Sequence, residues 1–220
     1  TSKWLTTAVR TGGDGMGGIS LMLIDLEGEG VSRTELPKQG WWASDTATIH
    51  FDDVFVPAEN LIGAENKGFY GIVANFNGER LGMAAGAAAS ARVCVEEAAA
   101  WAQERKTFGK PICQHQAIQL KLGEMATRAK AAQLMTLDAA RAYDTGQRCD
   151  MEAGMAKYFA SETAVENAME AMRIHGGYSY SKEYPVERLF REAPLMCIGE
   201  GTNEMQRIII AKQQIARNKI

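Results

Sequence analysis

A carboxylate placed between two glycines is the part of this chain richest in chemistry. Cys197-Ile198-Gly199-Glu200-Gly201-Thr202-Asn203-Glu204 sets Glu200 just ahead of an apolar-periodic stretch. Glycine on both sides removes bulk and lets a flat ligand approach the backbone. Thr202-Asn203 reads as a helix start, so free backbone N–H groups lie beside the carboxylate. A carboxylate held on such a turn can reach into a cleft and take a proton. The same residues also read as a glycine-rich turn between helices carrying a solvated Glu. A second acid of interest is Glu79, in Asn77-Gly78-Glu79-Arg80.

Two more blocks stand at helix-length spacing from these. One is Gln103-Glu104-Arg105-Lys106-Thr107-Phe108-Gly109-Lys110-Pro111, followed by His115-Gln116-Ala117-Ile118. The other is Arg173-Ile174-His175-Gly176-Gly177-Tyr178, running into Glu183-Tyr184-Pro185-Val186-Glu187-Arg188. In this order, with the Glu200-Gly201-Thr202 block last, they resemble the C-terminal half of the acyl-CoA dehydrogenase family over essentially the whole chain.

That resemblance implies an FAD enzyme of fatty acid metabolism. Such an enzyme removes the α-proton of an acyl-CoA thioester, passes the β-hydride to the flavin and releases a trans-2-enoyl-CoA. It implies Glu200 as the catalytic base. Some branches of the family, such as isovaleryl-CoA dehydrogenase, take the base from the segment matching Asn77 to Arg80, which makes Glu79 the alternative base. This chain has both acids, and the filled, glycine-flanked slot favours Glu200. Arg105 resembles the contact to the FAD pyrophosphate of a neighbouring subunit, a role suited to the planar guanidinium fork. Thr107, Phe108, Gln116, Gly176, Gly177, Thr202 and Glu204 resemble further FAD contacts. Arg173 stands where members often carry Gln, a departure at one of these contacts. Asn77, Arg80 and Gly201 are the expected substrate contacts. The implied partners are an acyl-CoA thioester, an electron acceptor such as an electron-transfer flavoprotein, and further copies of the chain in a homotetramer. A flavoprotein oxidase or monooxygenase on the same fold, or a non-catalytic helical assembly module, are the other readings.

The composition agrees with a folded enzyme and excludes other classes. With 46% hydrophobic and 23% charged residues, the 220-residue chain can bury a real core in one or two domains. A net charge of −3 gives no electrostatic footprint for nucleic acid or an anionic membrane. Cys94, Cys113, Cys149 and Cys197 form no CxxC pair, and the three histidines are scattered. The cysteines therefore read as reduced, small, buried groups, and no metal site is expected. The Ala-rich run from Leu81 to Ala91 is too short to span a bilayer, and no signal peptide is visible. A cytoplasmic enzyme, or a mitochondrial matrix one in a eukaryote, is expected. The chain carries no initiating Met, and under the resemblance it begins inside a β domain. It is expected to be the second half of a longer protein and inactive alone.

The elements that must position these residues follow from periodicity. Trp4–Arg10, Ile19–Leu26, Thr46–Phe51 and Val54–Val56 read as strands of the remainder of a β domain over 1–64. Gly13-Asp14-Gly15-Met16-Gly17-Gly18 matches GxGxxG. A strand rather than a helix follows it, so it reads as a hairpin connection and not a dinucleotide fingerprint. From about residue 65 to 220 the pattern is helical. Long helices are expected over about Phe69–Glu104, His115–Tyr143 and Met151–Ile174. A shorter one should open near Pro185, and a last one should cover Asn203–Arg217 with Met205, Ile208, Ile209 and Ile215 inward. The fold class is α+β: a partial antiparallel β domain followed by an all-α antiparallel bundle.

Overall fold

A computed structural model describes residues 2–218. The chain falls into two units, divided between Phe76 and Asn77. In the first unit, β1 (Trp4–Arg10) and β2 (Ile19–Asp25) pair antiparallel from Trp4↔Asp25 to Arg10↔Ile19, and β5 (Leu61–Ile62) joins the far edge of β2. Along β1, half-buried Leu5, Thr7 and Val9 alternate with exposed neighbours, the period of a strand with one covered face. On the neighbouring strand Ile24, paired with Leu5, is buried, as is Leu26 just beyond it.

The GxGxxG segment is the β1–β2 hairpin connection. Thr11 and Gly12 donate backbone N–H bonds to the Gly18 carbonyl at 3.0 and 3.2 Å. A Cβ on Gly18 would sit 1.9 Å from the Gly13 carbonyl oxygen. This glycine is spent on closing the hairpin, not on a phosphate.

A second ribbon pairs β3 (Val31–Glu35) with β4 (Ala47–Phe51) in antiparallel register. The sequence reading places no strand at β3, because Val31-Ser32-Arg33-Thr34-Glu35 holds a single apolar residue. The strand expected at Val54–Val56 does not form, and pairing resumes at β5.

Helix α1 (Gly68–Glu104) opens in the first unit and continues into the second. There it shares one core with α2 (Gln116–Asp144), α3 (Asp150–His175) and α4 (Val186–Ile198), and α5 (Asn203–Arg217) packs on α3. Ala84, Ala87, Ala91, Ala98 and Ala102 of α1 are buried with Ala129, Ala132 and Ala139 of α2 and Ala156, Ala160, Ala164, Ala168 and Ala171 of α3. Small side chains every three or four residues let helix backbones approach closely.

Helix α3 is the centre of this unit, with thirteen buried residues. Its Asn167 donates to the carbonyls of Ala91 on α1 and Met125 on α2, at 3.2 and 3.0 Å. Lys121 pairs with Glu170 and Arg128 with Glu166, which sets α2 antiparallel to α3. Between α1 and α2, β6 (Lys106–Thr107) and β7 (Lys110–Pro111) form a small hairpin.

The inward face expected for α5 is corrected. Met205, Ile208 and Ile215 are exposed, whereas Asn203 and Gln206 are buried. Gly154 of α3 makes the room: a Cβ there would lie 3.3 Å from Gln206 Oε1 and 3.5 Å from Ile210 Cγ1. The buried face of α5 is given over to a polar brace, described next.

Candidate active site

Glu200 stands on the turn between α4 and α5 with φ 55°, and Gly201 follows at φ 87°. A non-glycine residue in the left-handed region is strained and persists only where its surroundings hold it. The holding groups are visible. Gln206 Nε2 donates to the carbonyls of Glu200 and Gly201 at 3.3 and 2.9 Å. A Cβ on Gly201 would lie 2.8 Å from that same Nε2, so glycine is required there on two counts. Thr202 caps α5, its hydroxyl accepting from Met205 N at 3.4 Å. Beneath the turn, Lys157 of α3 is wholly buried and donates to Cys197 O and Asn203 Oδ1 at 3.1 and 2.9 Å. Asn203 Nδ2 donates in turn to Ser161 Oγ and Glu162 Oε1.

The two acids that sequence analysis treats as alternatives meet at one place. Glu79, from α1, hydrogen-bonds the Glu200 carboxyl. Burial, then this bond, then the Glu79 charge push the Glu200 pKa above the usual Glu value, against the pull of Lys157 and Arg80. Arg80 is buried, and its Nη1 donates to Asn77 Oδ1 at 3.2 Å. Asn77 Nδ2 donates to Asp150 Oδ1 at 2.9 Å. Burial lowers the Arg80 pKa while Asp150 and Glu200 oppose that shift. Burial would raise Asp150, but hydrogen bonds from Arg148 and Asn77 and the charges of Arg148 and Arg80 hold it low. A protonatable carboxyl with a raised pKa, held on a strained turn beside a second acid and a buried cation, is equipped for general base work.

Five of the other expected site residues gather instead past the C-terminal end of α1. At about 1.5 Å per residue, the stretch from Glu79 to Glu104 is about 38 Å long. Here a cleft of about 770 Å³ is lined by Arg105, Thr107, Phe108, Gly176 and Gly177, together with Trp101, His115, His175 and Tyr178. The volume lies within the range of small-molecule sites. Phe108 and Gly109, at φ 50° and 78°, are the two central residues of the β6–β7 turn, and Phe108 is 97% exposed. Two successive left-handed residues are the signature of a tight hairpin turn, and sequence analysis did not place it.

The Arg105 guanidinium lies 5.6 Å over the Tyr178 ring. Trp101 stacks on His175 with centroids 5.1 Å apart, and His175 Nδ1 donates to Ala171 O. A Cβ on Gly176 or Gly177 would meet nothing within 4 Å, so the backbone there is open. Gln116 is exposed at the start of α2, and Arg173 pairs with Glu170; neither lines the cleft. Thr202 and Glu204 lie at the Glu200 end instead.

Sequence analysis missed Trp101, His175 and Lys157. Trp101 is one helical turn before Arg105, and Lys157 interrupts the Ala153, Ala156, Ala160 spacing; these were the available signals.

Residues 66–215 match the acyl-CoA dehydrogenase C-terminal domain. Over 211 residues, 95% of the chain, the sequence is 44% identical to an acyl-CoA dehydrogenase of Bacillus subtilis, of which it covers 55%. The chain belongs to the acyl-CoA dehydrogenase family. Within that family it is also 41% identical, over 90% of its length and 52% of the relative's, to a caffeyl-CoA reductase–Etf complex subunit of Acetobacterium woodii. A solved structure of a probable acyl-CoA dehydrogenase from Mycobacterium abscessus superposes with a TM-score of 0.95 at 42% identity, covering 97% of this chain and 57% of that one. The chain thus spans about half the length of the relatives it matches. Among the described residues of this acyl-CoA dehydrogenase family member, no helix is long and apolar enough to cross a membrane.

Proposed function

We propose that the protein is an FAD-dependent acyl-CoA dehydrogenase in which Glu200 takes the α-proton of an acyl-CoA thioester. The observation carrying this reading is the Glu200 turn: a left-handed, braced backbone presenting a carboxyl whose pKa is raised by burial and by Glu79. As the α-C–H bond breaks, its proton passes to Glu200 and a Cα–Cβ double bond forms, giving a trans-2-enoyl-CoA. When bound, FAD supplies the acceptor for the β-hydride. Glu79 raises the basicity of Glu200 through its negative charge, while Arg80 and Lys157 keep enough carboxylate ionised to act. Asn77, Arg80 and Gly201 border the same turn and are suited to holding the thioester. Its similarity to the caffeyl-CoA reductase–Etf complex subunit supports an electron-transfer flavoprotein as redox partner.

The residues at the Arg105 end fit FAD. A cation over a phenol ring, open glycine backbone and exposed aromatics suit a ligand made of phosphates and flat rings. Because that end is about 38 Å from Glu79 along α1, it cannot touch the reacting centre that Glu200 serves. It would hold the FAD of a second protomer, and the exposed Met205, Ile208 and Ile215 offer apolar surface for a homotetramer.

The test is anaerobic mixing of the FAD-loaded enzyme with a panel of acyl-CoA thioesters. Flavin bleaching with one equivalent of enoyl-CoA product is expected. The acidic limb of kcat/KM should lie above the ordinary Glu range, because the base is active only when ionised and its pKa is raised. Peroxide release in air at the turnover rate would make the protein an oxidase, and no bleaching with any thioester would remove the proposal.

A further inference from the structure

Among the described residues Lys157 is the one lysine in the buried core, 0% exposed in the middle of α3. A buried ammonium is costly, and a Met of similar length would fill the space without that cost. Its two acceptors explain why it is a lysine. The Cys197 carbonyl belongs to the last turn of α4, and Asn203 is the first residue of α5. They flank the Glu200 turn on either side.

We propose that Lys157 is the positioning residue of the base: its ammonium ties the two ends of the Glu200 turn together and sets a positive charge beside that carboxylate. This rests on the reading of Glu200 as the base. Packing alone would need only volume, whereas two directed hydrogen bonds, one to each side of a left-handed residue, fix the turn's backbone.

The charged and titratable groups around this point come from every neighbouring element. Glu79 and Arg80 face Glu200 from α1, and Asp150 and Glu162 come from α3. Cys197 belongs to α4 and Glu204 to α5. Burial lowers the Lys157 pKa, while Cys197, Glu162 and Glu204 favour its charge and Arg80 opposes it. In turn, Lys157 and Arg80 draw the Glu200 pKa down against burial and Glu79. Removing the Lys157 charge leaves Arg80 alone in that role, so Glu200 should ionise at higher pH.

The experiment compares Lys157→Gln, Lys157→Met and Lys157→Arg in the FAD-loaded enzyme, with Glu200→Gln alongside. The amide of Lys157→Gln can still donate but carries no charge. It should keep FAD content and KM within about twofold, and its acidic limb of kcat/KM should move to higher pH by about half a unit to one unit. Lys157→Arg should restore the limb. Lys157→Met should show the same displacement and lose a further roughly 10–10²-fold in kcat, because the turn is no longer tied. A merely structural lysine would lower thermal stability in all three and leave the limb in place. An unmoved limb in Lys157→Gln overturns the proposal, and this variant decides even if Lys157→Met does not fold. If Glu200→Gln keeps full activity, the reading of the base itself has failed; if Glu200→Gln is dead while Lys157→Gln titrates normally, only the role of Lys157 has failed.

Discussion

Two turns, one beside Glu79 within α1 and one just past the C-terminus of α1, use the same strained backbone step for different purposes. In the first, Glu200 and Gly201 take φ 55° and 87°; in the second, Phe108 and Gly109 take φ 50° and 78°. The Phe108–Gly109 step closes a two-residue hairpin whose own ladder holds it, and Phe108 is left almost wholly in solvent. The Glu200–Gly201 step has no ladder. It is held by Gln206, by the Lys157–Asn203 tie and by the cap at Thr202. Strain closed by a local turn presents a shape. Strain held by buried polar groups presents a charge of adjusted pKa. The first suits binding, where aromatic faces and Arg105 supply recognition, and the second suits proton transfer.

This contrast predicts a division of labour among variants. The largest effect belongs to Glu200→Gln, which removes the basic oxygen with little change in size. The rate of anaerobic flavin reduction should fall by about 10²–10⁴-fold, with FAD content and acyl-CoA binding retained. Beside the other turn, Arg105→Leu should leave the pH dependence of the chemical step unmoved and weaken FAD binding by about 10–100-fold, the loss of a charge-assisted contact. A displaced pH profile in Arg105→Leu would merge the two turns into one site. The smallest effects, and the sharpest comparison, come from Gly109→Ala and Gly201→Ala. Both force a Cβ into left-handed backbone, at a cost of about 1–2 kcal/mol in thermal or denaturant unfolding. Gly109 has open space around that Cβ, so its loss should be one of stability alone. Gly201→Ala also meets Gln206 Nε2 at 2.8 Å and should lose rate as well. Equal catalytic loss in both would show that the Glu200 turn is no more dependent on its brace than a surface hairpin.

Much of this architecture was legible in the residues. The helices were readable from their small and apolar spacing and from the residues that end them, since α2, α3 and α4 have no side-chain cap among the described residues and α5 has one at Thr202: α1 ends at Glu104 and α5 runs Asn203–Arg217, as their patterns indicate. The hairpin nature of the GxGxxG segment followed from the strand after it. What was not legible depends on tertiary pairing. β3 has too little apolar content to stand out, and it forms only because β4 returns alongside it. The face of α5 was misjudged because apolar spacing assumes an apolar neighbour. Here Gly154 admits Gln206 and Ile210, Ile209 is half-buried, and Met205, Ile208 and Ile215 are left outside. Glu79 and Glu200 were each visible as a candidate base. That both belong to one site followed only from the family resemblance, since nothing local to either segment encodes the approach of α1 to the α4–α5 turn.

The central claim is that Glu200, and not its neighbour Glu79, removes the α-proton. The most direct measurement is α-proton exchange in D2O, followed by mass spectrometry, on an acyl-CoA analogue that the FAD-loaded enzyme binds but cannot oxidise. Enzyme with Glu79→Gln should incorporate deuterium at the α-carbon as the parent does, and enzyme with Glu200→Gln should incorporate none above the uncatalysed rate. Exchange that persists in Glu200→Gln and vanishes in Glu79→Gln would contradict the account and move the base to α1.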